Sequence, residues 1–243
     1  MNITQRSSPN RNIGRQGWTP DIIACHITEG VFPGSIHWVT NPQSNVSYHY
    51  MVSRTGEVTQ CVSIKDTAWA NGTTSGAANN GSQHSRITAV RERNVNANLF
   101  TVSIGFEGRL NEKQGDLAAA QLVAAVNLIA HIRAEVKRIW GITIPFDHES
   151  IVGHADIVPR WKPNCPGSRF PFDEMIRRLN ALEPPVSNEQ TMKFNVKGEI
   201  IHIPAFIRND RTYVQARPLL EALGYTVDWD DGARMPVIGL AVH

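Results

Sequence analysis

The chain has 243 residues, 41% of them apolar, enough for one large domain or for a domain with a small appendage. Its charged residues are well mixed and leave a formal net charge of only +2, which argues against a disordered chain and gives no electrostatic case for nucleic acid. No unbroken run of about eighteen apolar residues occurs, so no membrane insertion is expected, and three cysteines are too few for a disulfide framework.

The N-terminal stretch "MNITQRSSPNRNIGRQGW" is polar and lacks an apolar segment, so it reads as no secretory signal, and synthesis in the cytoplasm is expected. "DIIACHI" (21–27) reads as a buried central strand. "NVSYHYMVSRTGEVTQCVSI" (45–64) reads as two strands around a tight turn at Thr55-Gly56. Strand alternation is expected to point Tyr48 and Tyr50 one way and His49 the other. Cys25 and Cys61 read as small buried strand residues. Residues 72–98 are rich in Gly, Asn and Ser without periodicity and read as one long loop. "FTVSIGFEG" (100–108) is a further strand.

"DLAAAQLVAAVNLIAHIRAEVKRIW" (116–140) is the clearest helix. Leu122, Val126, Ile129, Ile132, Val136 and Trp140 recur at three- and four-residue steps along one face, and Gly141 ends it. His131 beside this stripe reads as packed or at the solvent edge. A second helix is expected over 170–182. Strands before and after an intervening helix predict an α/β fold with a mixed central sheet flanked by helices. "EPPVSNEQ" (183–190) reads as a linker. Residues 191–243 then change texture and predict a small α+β appendage, with strands around Lys197-Gly198 and a short helix over Ala216–Leu223 closed by Gly224. The domains expected are therefore 1–182 and 191–243. Residues 1–182 carry a net charge of +4 and residues 183–243 a net charge of −2.

The chemistry gathers around "GHADIVPRWKPNCPG" (153–167). His26 sits at the end of a buried strand, where the backbone fixes its direction. His154 closes the apolar run "SIVGH", and Cys165 follows a stiff proline-containing loop. Two imidazoles and a thiolate are a three-ligand zinc set that leaves the fourth tetrahedral position open, as a catalytic site requires. Spacing by itself leaves open two satisfied histidines and a buried thiol. Glu107 ends the apolar strand "SIGFE", where it reads as a general base or as a surface glutamate at a fraying end. Lys162 reads as an oxyanion partner or as a solvated loop lysine, and Tyr48 as a hydrogen-bond donor to the site or as cross-strand packing.

"IIACHITEG", "NVSYHYMVSRTGEVTQCVSIKDTAWANG", "TVSIGFEG" and "VGHADIVPRWKPNCPGSRFPF" occur in this order. Together, over roughly residues 15–182, they resemble the type 2 N-acetylmuramoyl-L-alanine amidases, zinc enzymes that include phage endolysins, bacterial autolysins and peptidoglycan recognition proteins. The resemblance implies His26, His154 and Cys165 as zinc ligands, with Glu107, Lys162 and Tyr48 as catalytic residues. It implies hydrolysis of the bond between N-acetylmuramic acid and L-alanine in bacterial peptidoglycan. The family's loop lysine stands two residues before the third ligand, whereas Lys162 stands three before, so Arg160 is the reserve candidate. Where the family shows Ala-Trp-His-Ala-Gly this chain has "AWANG" (68–72), and the resemblance makes Trp69 and Asn71 substrate contacts. Residues 191–243 resemble the copper amine oxidase N-terminal-like domain, read here as a wall-targeting module that binds no copper. The partner expected is peptidoglycan, met by a monomer at the cell wall after a holin-like release or lysis. The competing reading is a peptidoglycan-binding module without catalysis.

Overall fold

In the computed structural model, which describes residues 1–73, 82–182, 190–208, 211–230 and 235–240, the apolar runs become the middle of a six-stranded sheet. Eight strands precede residue 182: β1 (Ile3–Gln5), β2 (Arg11–Asn12), β3 (Ile22–Ile27), β4 (Tyr50–Val52), β5 (Val58–Gln60), β6 (Thr67–Ala68), β7 (Thr101–Phe106) and β8 (Ile151–Gly153). The sheet order is β1-β5-β4-β7-β3-β8, while β2 and β6 pair separately. Strands β4, β7, β3 and β8 run parallel, and β5 is antiparallel to β4. The sheet is therefore mixed, as expected, and β3 is wholly buried because both its faces are covered.

The helices before residue 182 are α1 (Gly34–Thr40), α2 (Thr88–Arg93), α3 (Leu110–Lys113), α4 (Ala119–Trp140), α5 (His154–Ile157) and α6 (Phe172–Ala181). On one face of the sheet, Ile23, Cys25, Ile27, Val102, Ile104 and Phe106 meet Leu128, Ile129, Ile132 and Val136 of α4 and Met175 and Leu179 of α6. Each such large side chain contributes about 1.5–3 kcal/mol by leaving water. Alternation turns Ile22, Ala24 and His26 to the other face, where Ile22 and Ala24 pack with Ile87, Val90, Phe100 and Ile157. The sheet thus separates the α4 core from the face that carries His26.

Helix α4 has 22 residues and an 18-residue window of mean hydropathy 1.2, so by length and composition it is long and apolar enough to cross a membrane. The expectation of no such segment rested on an unbroken apolar run, which Gln121, Asn127, His131 and Arg133 interrupt. Its buried stripe lies against the sheet, as in the core helix of a folded domain.

Two local expectations are corrected. The span read as one loop holds short helical turns at Ser82–His84 and Ala97–Leu99 as well as α2, while its residues 74–81 lie outside the described residues. Tyr48 and Tyr50 do not share a face: β4 begins only at Tyr50, which packs on the α4 side, whereas Tyr48 packs with Val39, Met51 and Cys61 on the other.

By contact density the chain divides into Met1–Glu183 and Pro184–His243. Of the expected linker, residues 183–189 lie outside the described residues, and Gln190 already opens a strand. The second unit contains β9 (Gln190–Val196), β10 (Glu199–Arg208) and β11 (Arg211–Val214) in an antiparallel sheet of order β11-β10-β9. Lys197 and Gly198, with φ of +53° and +93°, form the two-residue turn between β9 and β10. Helix α7 (Ala216–Ala222) and the antiparallel pair β12 (Tyr225–Asp230) and β13 (Met235–Leu240) follow.

Candidate metal centre

Strands β3, β7 and β8 run the same way, so their carboxyl ends lie at one edge of the sheet, where open α/β sheets bind ligands. His26 stands one residue from the end of β3, Glu107 just beyond β7, and His154 just beyond β8. Ligand atoms of His26, His154 and Cys165 all lie within 4.8 Å of one another. The two imidazole rings are 4.4 Å apart, centroid to centroid. These three side chains are separated by up to 139 positions in the sequence and meet because β3 and β8 are neighbours.

The local backbone explains how Cys165 arrives. Strand β8 stops at Gly153, paired with Cys25, so the amide of Ile27 points past its end. That amide donates instead to Cys165 Sγ at 3.5 Å. The amide of Ala155 donates to the Cys165 carbonyl at 2.7 Å, locking the cysteine loop to the residue after His154. Gly153 permits this approach: a Cβ there would sit 2.7 Å from Pro166 Cδ.

Burial and neighbouring charges set the protonation of this cluster. Burial, followed by His154, Lys162 and His49, holds His26 well below its ordinary pKa. Burial also lowers His154 to about 4, against the hydrogen bond to Asn71 and with help from Lys162. Both imidazoles are neutral at pH 7, the form that binds metal. Burial raises the Cys165 thiol to about 11, opposed by the Ile27 amide and Lys162 and assisted by Glu29. The buried Nε2 of His26 has no hydrogen-bond partner among the described residues. Two neutral imidazoles and a thiol whose proton a cation would displace suit zinc.

The other residues singled out in the sequence have surroundings of their own. Tyr48 lies beside His26, ring centroids 5.1 Å apart, over Gly105, where a Cβ would meet its ring at 2.7 Å. Burial and then Cys165 raise the Tyr48 pKa, so its hydroxyl keeps its proton. Lys162 is exposed, and its carbonyl accepts the Cys165 amide at 3.2 Å, so the extra residue is taken up in a turn. Its charge acts on His26, His154 and Cys165 alike, whereas Arg160 is exposed earlier in the loop. Glu107 lies outside the three-ligand cluster and is not a fraying surface residue. Its Oε1 accepts from the Phe32 amide at 3.1 Å and its Oε2 from the Arg54 amide at 2.7 Å.

The "AWANG" segment departs from expectation. Trp69 is half-buried and donates its indole N–H to Asn12 at 2.8 Å. Asn71 is completely buried, so it is no substrate contact; its carbonyl faces His154 Nε2 at 3.1 Å. Sequence reasoning missed this carbonyl and the amides of Ile27, Phe32 and Arg54, because backbone groups leave no signature in residue type.

Residues 16–168, well over half the chain, match the Amidase_2 family, described as N-acetylmuramoyl-L-alanine amidase. The chain belongs to this amidase family. Residues 187–238 match the copper amine oxidase N-terminal domain. A curated relative, N-acetylmuramoyl-L-alanine amidase A of Achromobacter lyticus, is 29% identical over 169 residues, which are 65% of this chain and 82% of that protein. Among solved structures, the amidase LysC from Clostridium intestinale URNW is 18% identical, covering 74% of this chain and 98% of its own, with a TM-score of 0.49. The amidase AmiD from E. coli, solved with anhydro-N-acetylmuramic acid-L-Ala-D-gamma-Glu-L-Lys, is 22% identical, covering 71% of this chain and 58% of its own, with a TM-score of 0.48. The stretch matched to the amidase family thus contains His26, His154 and Cys165.

Proposed function

We propose that the amidase unit uses zinc, held by His26, His154 and Cys165, to hydrolyse the bond between the lactyl group of N-acetylmuramic acid and the L-alanine of the stem peptide, and so degrades the bacterial cell wall. The observation that carries this reading is the convergence of three ligand atoms, from two neutral imidazoles and a thiol, within 4.8 Å of one another. When bound, zinc supplies a Lewis acid that activates water and polarises a carbonyl.

The chain's own residues do the rest. Glu107, fixed by two backbone amides, accepts the proton of the attacking water and returns it to the leaving amine. Tyr48 keeps its proton and donates a hydrogen bond, and the Lys162 ammonium stabilises the developing oxyanion. Half-buried Trp69 serves as a contact for the glycan-peptide. The unit from Pro184 onward serves to hold the enzyme on the wall, which a single copy reaches after release from the cell in which it is made.

The competing reading, a wall-binding module without catalysis, is disfavoured by Cys165 beside both histidines. Mass spectrometry of digested peptidoglycan identifies the bond directly: the reading requires free L-alanine amino termini and intact glycan. Chelation must abolish turbidity loss of purified walls, and added zinc must restore it. Glu107→Ala is expected to keep zinc stoichiometry and lower turnover by at least about 100-fold. Undiminished turnover in that variant would remove Glu107 from its role.

A further inference from the structure

A carbonyl oxygen only accepts hydrogen bonds, so the 3.1 Å contact between His154 Nε2 and the Asn71 carbonyl requires the hydrogen on Nε2. Nδ1 is then the nitrogen left with a lone pair. The carbonyl that makes this choice is held with unusual care. The Asn71 amide donates to Asn98 Oδ1 at 2.9 Å, and the Ala70 amide donates to the same oxygen at 3.2 Å. The Asn71 side-chain Nδ2 donates to Thr101 Oγ1 at 2.9 Å.

The segment that provides these partners is itself anchored. Arg15, buried in the domain, donates from Nη1 to the carbonyls of Asn98, Leu99 and Thr101 at 3.3, 2.9 and 3.0 Å. Thr101 opens β7 and pairs with Ile22 of β3, the strand that carries His26. A chain of bonds therefore runs from the sheet through Thr101 and the Asn71 side chain to the ring of His154. An asparagine here is costly, since its Oδ1 is buried without a partner. An alanine would avoid that cost and would also lose the bond to Thr101.

We propose that Asn71 is a positioning residue for His154: its side-chain amide, tied to Thr101, fixes its own carbonyl as the acceptor of the Nε2 hydrogen and so commits Nδ1 to the metal. This rests on the zinc reading above. It assigns the departure from the family's Ala-Trp-His-Ala-Gly pattern to the support of the metal ligands and not to the recognition of substrate.

The test uses the full chain and measures Zn²⁺ affinity by competition with a chromogenic chelator, together with the visible spectrum of the Co²⁺-loaded protein. Partners of metal-bound imidazoles are worth about 10- to 100-fold in affinity. Asn71→Ala keeps the carbonyl and removes only its tie to Thr101, so it is expected to weaken Zn²⁺ binding measurably but by no more than that factor and to alter the Co²⁺ spectrum, with KM for a soluble muropeptide unchanged. Thr101→Val, which leaves Asn71 in place without its anchor, must weaken binding in the same direction, and Thr101→Ser must restore it. A merely structural role would lower the unfolding midpoint of all three variants and leave the Co²⁺ spectrum of the folded fraction as in the parent. Parent-like affinity and spectrum in a folded Asn71→Ala protein overturn the proposal and leave the zinc reading standing. A rise in KM without loss of affinity overturns it in favour of substrate contact. A parent chain that takes up neither metal overturns both.

Discussion

Cys165 and His154 sit in surroundings that penalise charge, and the penalties have opposite consequences for pH. In metal-free protein, His154 is held at about 4 against an ordinary 6.5. Below pH 6.5 the unfolded chain takes up a proton that the folded chain refuses, so stability falls as pH drops. At about 1.4 kcal/mol per pKa unit, this amounts to about 3 kcal/mol by pH 4. His26 acts in the same direction. The thiol of Cys165 is raised from 9.0 to about 11, so above pH 9 the unfolded chain loses a proton that the folded chain keeps, and stability falls again. Denaturant midpoints of the EDTA-treated protein should therefore be highest between pH 6.5 and 9, and a midpoint that is flat from pH 4 to 7 would contradict the burial of the two imidazoles. His26 and His154 stood out in the sequence because each closes an apolar run, and Cys165 because it follows a stiff proline-containing loop; their convergence is what the fold adds. Their supports did not stand out: the Ile27 amide is freed only because β8 is shorter than β3, and no residue type announces that.

At the scale of elements, the central strands followed from apolar runs and the long helix from periodicity, while β1 and the short pieces between the long elements did not. Strand β3 spans Ile22–Ile27 within the predicted 21–27, and α4 starts at Ala119, three residues after the predicted Asp116. Helix α1 and the two-residue strands β2 and β6 had no signal, since seven residues are barely two turns and two residues have no alternation to read. The close contacts between elements are where single substitutions should act. Gly153→Ala places a methyl group 2.7 Å from a proline ring carbon, which cannot rotate away, and so pushes the cysteine loop from His154. A loss of about 1–3 kcal/mol in stability is expected, with weaker zinc uptake. Gly34→Ala, at the start of α1 with nothing within 4 Å of the new carbon, should leave both unchanged. Equal effects from the two would show that crowding at Gly153 is not what matters.

For the whole molecule, the division into Met1–Glu183 and Pro184–His243 puts the His26, His154 and Cys165 cluster in one unit and the stretch matched to the copper amine oxidase N-terminal domain in the other. The first unit has its own core and all of the proposed ligands. A chain cut after residue 183 should fold and cleave soluble muropeptide at the parent rate, while its sedimentation with intact sacculi should fall. Unchanged sedimentation would refute the targeting role assigned to the second unit. The order of the strands has a further consequence, for timing. Strand β8 is among the last parts of the amidase unit to leave the ribosome, yet it must settle beside β3, which emerged more than a hundred residues earlier. A nascent polypeptide therefore carries one imidazole without its companions through most of translation, and lytic competence comes only when synthesis of the unit is nearly finished.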